Sequence, residues 1–291
     1  MSLALLWLSR RSLRHLHAAG AALGWLAYLA SPSYRRRLQA NAQVAGVAAS
    51  PRRASVAEAG KLLMELPRLW LRPRTQPIND PVQWQHAELV DAALERGRGL
   101  ILLTPHMGSF EVAAQAYAER FGARQPITVL YRPARQPWLR ELEETARARP
   151  ALATAPATLA GVRTLMRALR SGQTLGMLPD QVPPEGMGVW APFFGQSAYT
   201  MTLAARLAQQ SGAAVLLIWA ERLPRGAGYS VRLQPLAEPL PGKAALDDPA
   251  WTLAAAAAIN RSMEAVILQR PEQYLWGYHR YKQPRQPEAG A

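Results

Sequence analysis

A histidine and a glutamate stand five positions apart in the segment LLTPHMGSFE, residues 102–111. Within one regular helix, His106 and Glu111 would be about 140° apart around the axis and on different faces. They can meet only if His106 precedes the helix, and Gly108 allows the turn that this requires. A carboxylate that accepts a hydrogen bond from one imidazole nitrogen would leave the other nitrogen free to act as a general base. The alternative for this spacing is a histidine that caps a helix or is satisfied in the core.

Polar side chains also follow two later apolar segments. Arg132 comes after the run PITVLY, and Asp180 and Gln181 come after TLGMLP. In an open α/β sheet, ligands bind beyond the carboxyl ends of the strands. We therefore expect these residues and His106 to belong to one site.

The segments that must position these residues alternate between strand and helix patterns. LILLTPH and TLGMLPDQ are short apolar runs typical of buried strands, and SFEVAAQAYAERFG has helical periodicity. This alternation predicts an α/β fold with a mixed, largely parallel sheet flanked by helices. We expect one main domain over residues 34–285, preceded by a separate helix within 1–33 and followed by a loose tail over 286–291.

Two proline-containing segments give further predictions. PRRASVAEAGKLLMELPRLWLRPR has helical periodicity, and we expect Pro67 and Pro73 to break the helix. The segment VPPEGMGVWAPFFG, rich in proline and glycine, predicts a loop.

The first 33 residues contain two apolar stretches separated by Arg10, Arg11 and Arg14. Three interpretations compete: a cleaved signal peptide, a short membrane or interfacial helix, and an amphipathic helix packed on the protein itself. The apolar stretch is shorter than the roughly 20 residues that cross a bilayer comfortably. Its aromatic residues and the YRRR that follows favour a membrane-anchoring helix at an anionic lipid surface. Whether this helix spans the membrane or lies on it stays open.

The composition limits the possible binding partners and reaction types. Lys and Arg number 34 against 20 Asp and Glu, a net charge of +14 that favours phosphate groups, anionic membranes or acidic proteins as partners. No nucleic-acid-binding motif stands out, so nucleic acid is the weaker partner. The absence of cysteine excludes a thiol nucleophile. No metal-ligand cluster, P-loop or dinucleotide fingerprint is recognisable, so we expect neither a metal nor a cofactor.

Five motifs in order carry a resemblance to a known family. LLTPHMGSFE, YRP, LPDQ, FFG and YLWGYHRYKQP resemble those of the bacterial lipid A acyltransferases, the late lauroyl/myristoyl type within the lysophospholipid acyltransferase superfamily. The resemblance implies transfer of a fatty acyl chain from an acyl carrier protein thioester to a hydroxyl of a lipid A precursor. It also implies the cytoplasmic face of the bacterial inner membrane. Two alternatives are an acyltransferase acting on another lysolipid, glycolipid or polyene lipid, and a non-catalytic lipid-binding protein.

The resemblance also assigns roles to residues. His106 would be the general base, Glu111 would orient it, and transfer would be direct, since Ser109 lacks the G-x-S-x-G elbow of serine hydrolases. The expected substrate-binding residues, for the phosphorylated glycolipid above all, are Arg132, Asp180, Gln181, Arg280 and Lys282. The candidates for oxyanion stabilisation or for the acyl channel are Gly108, Ser109, Phe193 and Phe194.

Overall fold

The structure is a computed structural model that describes residues 3–133, 136–242, 244–245 and 248–286, without the side chains of residues 3, 137–139 and 144. Its α-helices are α1 (Leu3–Ser9), α2 (Leu13–Ala30), α3 (Pro32–Val44), α4 (Ala49–Trp70), α5 (Glu88–Leu94), α6 (Phe110–Phe121), α7 (Pro137–Arg147), α8 (Leu159–Arg170), α9 (Leu203–Ser211) and α10 (Pro249–Ile267). Its strands are β1 (Val82–Gln85), β2 (Leu100–Leu103), β3 (Ile127–Tyr131), β4 (Leu152–Pro156), β5 (Thr174–Met177), β6 (Gly188–Phe193), β7 (Gln196–Met201), β8 (Ala214–Arg222) and β9 (Tyr229–Pro235).

In the described part of the chain, seven strands form one sheet in the order β1-β9-β8-β2-β5-β3-β4. All neighbours are parallel except β8 and β9, which are antiparallel. The two central strands, β2 and β5, are buried along their whole length, as expected for short apolar strands covered on both faces. The predicted α/β class with a largely parallel sheet is confirmed.

Helices cover both faces of the sheet. Successive residues of a strand point to opposite sides, so a wholly apolar strand has side chains to bury on each face. On β2, Ile101 and Leu103 pack into one apolar cluster and Leu100 and Leu102 into the other. Residues of α3, α8, α9 and α10 complete the first cluster, and residues of α5 and α6 complete the second. Burial of each such aliphatic side chain stabilises the folded state by about 1.5–3 kcal/mol, so these two clusters hold β2 and its neighbours in place.

Two local predictions are wrong. Pro67 lies inside α4 rather than ending it, because it falls in the last turn, where its missing N–H removes a single helical hydrogen bond. The carbonyl of Leu69, one of the free carbonyls at this helix end, accepts hydrogen bonds from Arg72 and Arg149. The expected loop VPPEGMGVWAPFFG contains β6, which pairs with β7 in a hairpin. Its turn uses Phe194 and Gly195, both with positive φ, and Phe-Gly is not a common hairpin signal.

The N-terminal segment packs on the protein. None of the helices in the described ranges combines the length and apolar character needed to cross a bilayer. Helix α2 instead lies against α4, and the two backbones approach closely at Gly20, Gly24 and Gly60. The opposite side of α2 leaves Leu26 and Leu29 about two thirds exposed. Residues 287–291 of the expected tail lie outside the described residues.

We predict that Gly60→Ala destabilises the protein. A Cβ at this position would lie 2.0 Å from the carbonyl oxygen of Gly20 and 2.5 Å from the amide nitrogen of Gly24, so α2 and α4 must separate. We expect the free energy of unfolding to fall by about 1–3 kcal/mol, measured by chemical denaturation. Gly242→Ala is the control, because a Cβ there meets no atom within 4 Å. Equal denaturation midpoints for the two variants would contradict the close packing.

Candidate active site

His106 and Asp180 meet at the carboxyl edge of the sheet. Leu103 of β2 is in register with Met177 of β5, and His106 and Asp180 each follow three residues later. The Nδ1 atom of His106 lies 2.6 Å from Oδ1 of Asp180, and the backbone N–H of His106 donates to Oδ2 at 2.9 Å. Parallel neighbouring strands therefore bring together two residues that are 74 positions apart in the chain.

The Asp180 carboxylate is buried but ionised. Burial raises its pKa, but the charge of His106, its two hydrogen bonds and the charge of Arg280 outweigh burial and lower the pKa below its ordinary value. An ionised carboxylate only accepts hydrogen bonds, so Nδ1 of His106 carries the proton. In the neutral imidazole, Nε2 then has the free lone pair, as a general base requires.

Hydrogen bonds and close packing fix the backbone of the turn between β2 and α6. Gly108 has a φ of +57°, and a Cβ there would lie 2.0 Å from the carbonyl oxygen of Ala220. Its N–H donates to the carbonyl of Gln273 at 3.0 Å, and the N–H of Ser109 donates to the carbonyl of Ala220 at 2.8 Å. The buried Arg222 guanidinium donates to the carbonyl of Gly108 at 2.7 Å. We name residues 106–109 the His106 turn.

These contacts correct the oxyanion expectation for Gly108 and Ser109. Both backbone N–H groups already donate to carbonyls of the protein, so neither is available to a developing negative charge. The Ser109 hydroxyl is fully buried and has no hydrogen-bond partner among the described residues. A glycine at the turn was correctly expected, but the turn is built to hold His106 and not to present amides.

Glu111 has a different partner from the one expected. It is the second residue of α6, where its Oε1 accepts from Nη2 of Arg147 at 2.5 Å and its Oε2 accepts from Nε of Arg147 at 3.5 Å. The indole N–H of Trp70 also points to Oε2, at 3.4 Å. Burial lowers the pKa of Arg147, but the charge and hydrogen bond of Glu111 outweigh it, and the pKa is raised. The Nδ1–H of His106 donates to Asp180 instead.

His106, Glu111 and Arg147 line one cavity of about 360 Å³, within the range of about 300–1,000 Å³ typical of ligand pockets. Arg132, which is exposed, and Gln181 line the same cavity, as the sequence predicted for one site at the strand ends. Most of the remaining wall is apolar, with Leu102, Val129, Leu130, Leu152, Leu159, Met177, Leu178, Met187 and Leu203 among its residues. The cavity thus has a charged side and an apolar body.

Arg280 and Lys282 lie away from this cavity. Arg280 is buried, donates to the carbonyl of Tyr199 at 2.7 Å and to the hydroxyl of Thr200 at 2.8 Å, and packs over Phe193. Burial lowers its pKa. Its expected role in binding substrate is therefore replaced by a structural one in holding β7. The Lys282 ammonium lies 4.9 Å from the ring centroid of Tyr278 and does not line the cavity.

The two phenylalanines expected in the acyl channel belong to the core. Phe193 is 1% exposed, and Phe194 packs against Phe193 and Trp276. Neither lines the cavity. Sequence reasoning missed Arg147 and Trp70, which contact Glu111 across 36 and 41 positions of the chain. No local sequence pattern distinguishes either residue. An arginine at a helix end, such as Arg147, is usually solvated.

Comparison with known proteins decides the family. A family model described as bacterial lipid A biosynthesis acyltransferase matches residues 3–283. The chain belongs to this family. It is 29% identical to the lipid A biosynthesis lauroyltransferase of Escherichia coli (strain K12), over 77% of this chain and 69% of that protein. It is 27% identical to the lipid A biosynthesis palmitoleoyltransferase of the same strain, over 77% and 68%. The family resemblance carried by the five motifs is confirmed, and the protein is an O-acyltransferase.

We predict that Asp180→Asn impairs this acyltransferase at the chemical step. The amide cannot hold the Nδ1 proton of His106 as the carboxylate does, so we expect kcat to fall about 10²–10⁴-fold with little change in KM. Steady-state kinetics on the purified variant measure this. Asp91→Asn, on the surface beside Arg124, is the matched control. An unchanged kcat for Asp180→Asn would contradict the assignment.

The pH dependence of the free energy of unfolding of Asp180→Asn gives a second test. A carboxyl whose pKa is lowered by folding stabilises the folded state above its unfolded pKa of about 4, and this contribution is lost as the pH falls through the folded value. The wild type should therefore lose more of its free energy of unfolding below about pH 4 than Asp180→Asn does.

Proposed function

We propose that the protein moves a fatty acyl chain from an acyl carrier protein thioester to a hydroxyl of a lipid A precursor, with His106 as general base. The observation that carries this proposal is the geometry of His106. A buried, ionised Asp180 holds Nδ1, while the imidazole lines an apolar cavity and Nε2 has no hydrogen-bond partner among the described residues. Family membership and the names of the lauroyl- and palmitoleoyltransferase relatives support the acceptor.

The reaction follows from this arrangement. Nε2 of His106 takes the proton from the acceptor hydroxyl as its oxygen attacks the thioester carbonyl. A tetrahedral intermediate forms, and its collapse breaks the carbon–sulfur bond. The leaving thiolate receives the proton from the imidazolium, which Asp180 stabilises in the meantime. These steps balance without a cofactor and without an acyl-enzyme intermediate.

Glu111 enters this proposal through Arg147. The carboxylate holds both Nε and Nη2 of Arg147, which fixes the guanidinium at the cavity wall. A fixed positive charge in a largely apolar cavity can stabilise the oxyanion of the tetrahedral intermediate. Arg132 and Gln181 line the same cavity and are proposed to bind the phosphorylated glycolipid.

The surface supports the proposed partners and location. A net charge of +14 suits an acidic carrier protein, a phosphorylated acceptor and an anionic membrane. Leu26 and Leu29 of α2 and Trp7 of α1 are exposed apolar side chains. We propose that they bind the cytoplasmic face of the inner membrane by insertion at the interface.

We predict that His106→Asn abolishes transfer. The purified protein is given an acyl carrier protein thioester and a lipid A precursor, and the acylated product is measured by mass spectrometry. We expect at least about a 10²-fold loss of rate with acceptor binding retained, since asparagine cannot serve as the base. His86→Asn, at an exposed histidine, is the matched control. Unchanged transfer by His106→Asn would contradict the mechanism, and transfer only to other lysolipids would contradict the acceptor.

A double-mutant cycle tests the proposed role of Glu111. If Glu111 acts by holding Arg147, the variant with both Glu111→Gln and Arg147→Gln should lose no more kcat/KM than the worse single variant. If Glu111 acts on His106 separately, the two losses should multiply. The measurement is kcat/KM for the three variants and the wild type under one set of conditions.

A further inference from the structure

A second cavity lies among the N-terminal helices. It has a volume of about 300 Å³ and shares no lining residue with the active-site cavity. Helices α2, α3 and α4 supply its walls, with Trp25, Tyr28, Leu38, Gln39, Ala49, Arg52, Arg53 and Val56 as lining residues. We name it the N-terminal cavity.

The N-terminal cavity is cationic. Its Arg52 is half-buried, and its guanidinium has neither a hydrogen bond nor an ion pair within the described part of the chain. Arg53 lies over the Trp25 ring, 5.5 Å from its centroid, and Arg35 lies 5.9 Å from the centroid of Tyr28. Ala49, the first residue of α4, also lines the cavity, and its helix end has no side-chain cap. A helix N-terminus and unpaired guanidinium groups both favour an anion.

Within α2, α3 and α4, all of which the structure describes, no acidic side chain is free to neutralise these cations. The first 57 residues contain eight arginines and no aspartate or glutamate. The two glutamates of α4 are already paired: Glu58 with Lys61 and Arg222, and Glu65 with His17 and Arg222. Among the described residues Arg52 has no acidic partner, so its guanidinium is available to an anion from outside the chain.

The surroundings of the cavity indicate an amphipathic ligand. Leu26 and Leu29 of α2, next to Trp25 and Tyr28 along the helix, are 64% and 65% exposed. Tryptophan and tyrosine beside exposed leucines and arginines are typical of a surface at the level of lipid headgroups. A phosphate attached to acyl chains matches both the cations and the apolar residues, whereas a free anion matches only the cations.

We propose that the N-terminal cavity binds the phosphate headgroup of an anionic phospholipid, so that the protein docks on the membrane at a defined lipid site. This goes beyond the proposed acyl transfer and does not depend on it. The phosphate contacts Arg52 and Arg53, the headgroup lies against the Trp25 and Tyr28 rings, which touch edge to face, and Leu26 and Leu29 enter the acyl layer.

Vesicle flotation with the full-length protein tests this. Binding is compared between phosphatidylcholine vesicles and vesicles that also contain phosphatidylglycerol. Arg52→Gln with Arg53→Gln should weaken binding to the phosphatidylglycerol vesicles at least about tenfold. The matched control, Arg163→Gln with Arg167→Gln on the exposed side of α8, removes the same charge and should weaken binding much less. His106→Asn should bind like the wild type, which separates this test from that of acyl transfer.

Three outcomes would overturn the proposal. Equal weakening by both double variants would mean that overall charge, and not a site, attracts the membrane. Competition by inorganic phosphate at concentrations comparable to those of accessible phosphatidylglycerol would indicate a free-anion site. Displacement of phosphatidylglycerol by a lipid A precursor at lower concentration would assign the cavity to the acceptor.

Discussion

The hydrogen bond between His106 and Asp180 is the constraint on which the rest of the site depends. A buried carboxylate must be paired, and here it is paired twice with one residue, through Nδ1 and through the backbone N–H. Because both residues follow the aligned pair Leu103 and Met177 by three positions, the bond forms only if β2 and β5 are neighbours in this register. The packing of both faces of the sheet therefore determines the geometry of the proposed catalytic pair.

The His106 turn is fixed in place by a buried polar network that reaches the N-terminal helices. Arg222 at the end of β8 donates to the carbonyl of Gly108 and pairs with Glu65 of α4, and Glu65 also contacts His17 of α2. Removing one partner of such a buried network costs more than a surface ion pair, because the other charges stay buried. The helices that carry the exposed apolar residues are thus connected to the turn that positions the proposed base.

The sequence predicted the main elements better than their contacts. The alternation of strands and helices, the position of His106 before α6, and Asp180 at a strand end follow from local patterns. The partner of His106 does not, since choosing Asp180 over Glu111 requires the order of strands in the sheet. Arg147 was missed for the same reason, and the amides of Gly108 and Ser109 were misjudged because their acceptors, Gln273 and Ala220, come from distant segments.

The most direct test of the account is mass spectrometry of lipid A from the bacterium that carries this gene, before and after its deletion. The account predicts the loss of one secondary acyl chain, restored by the wild-type gene and not by one encoding Asp180→Asn. Lipid A that is unchanged by the deletion would contradict the proposed acceptor. Full restoration by Asp180→Asn would contradict the proposed catalytic geometry.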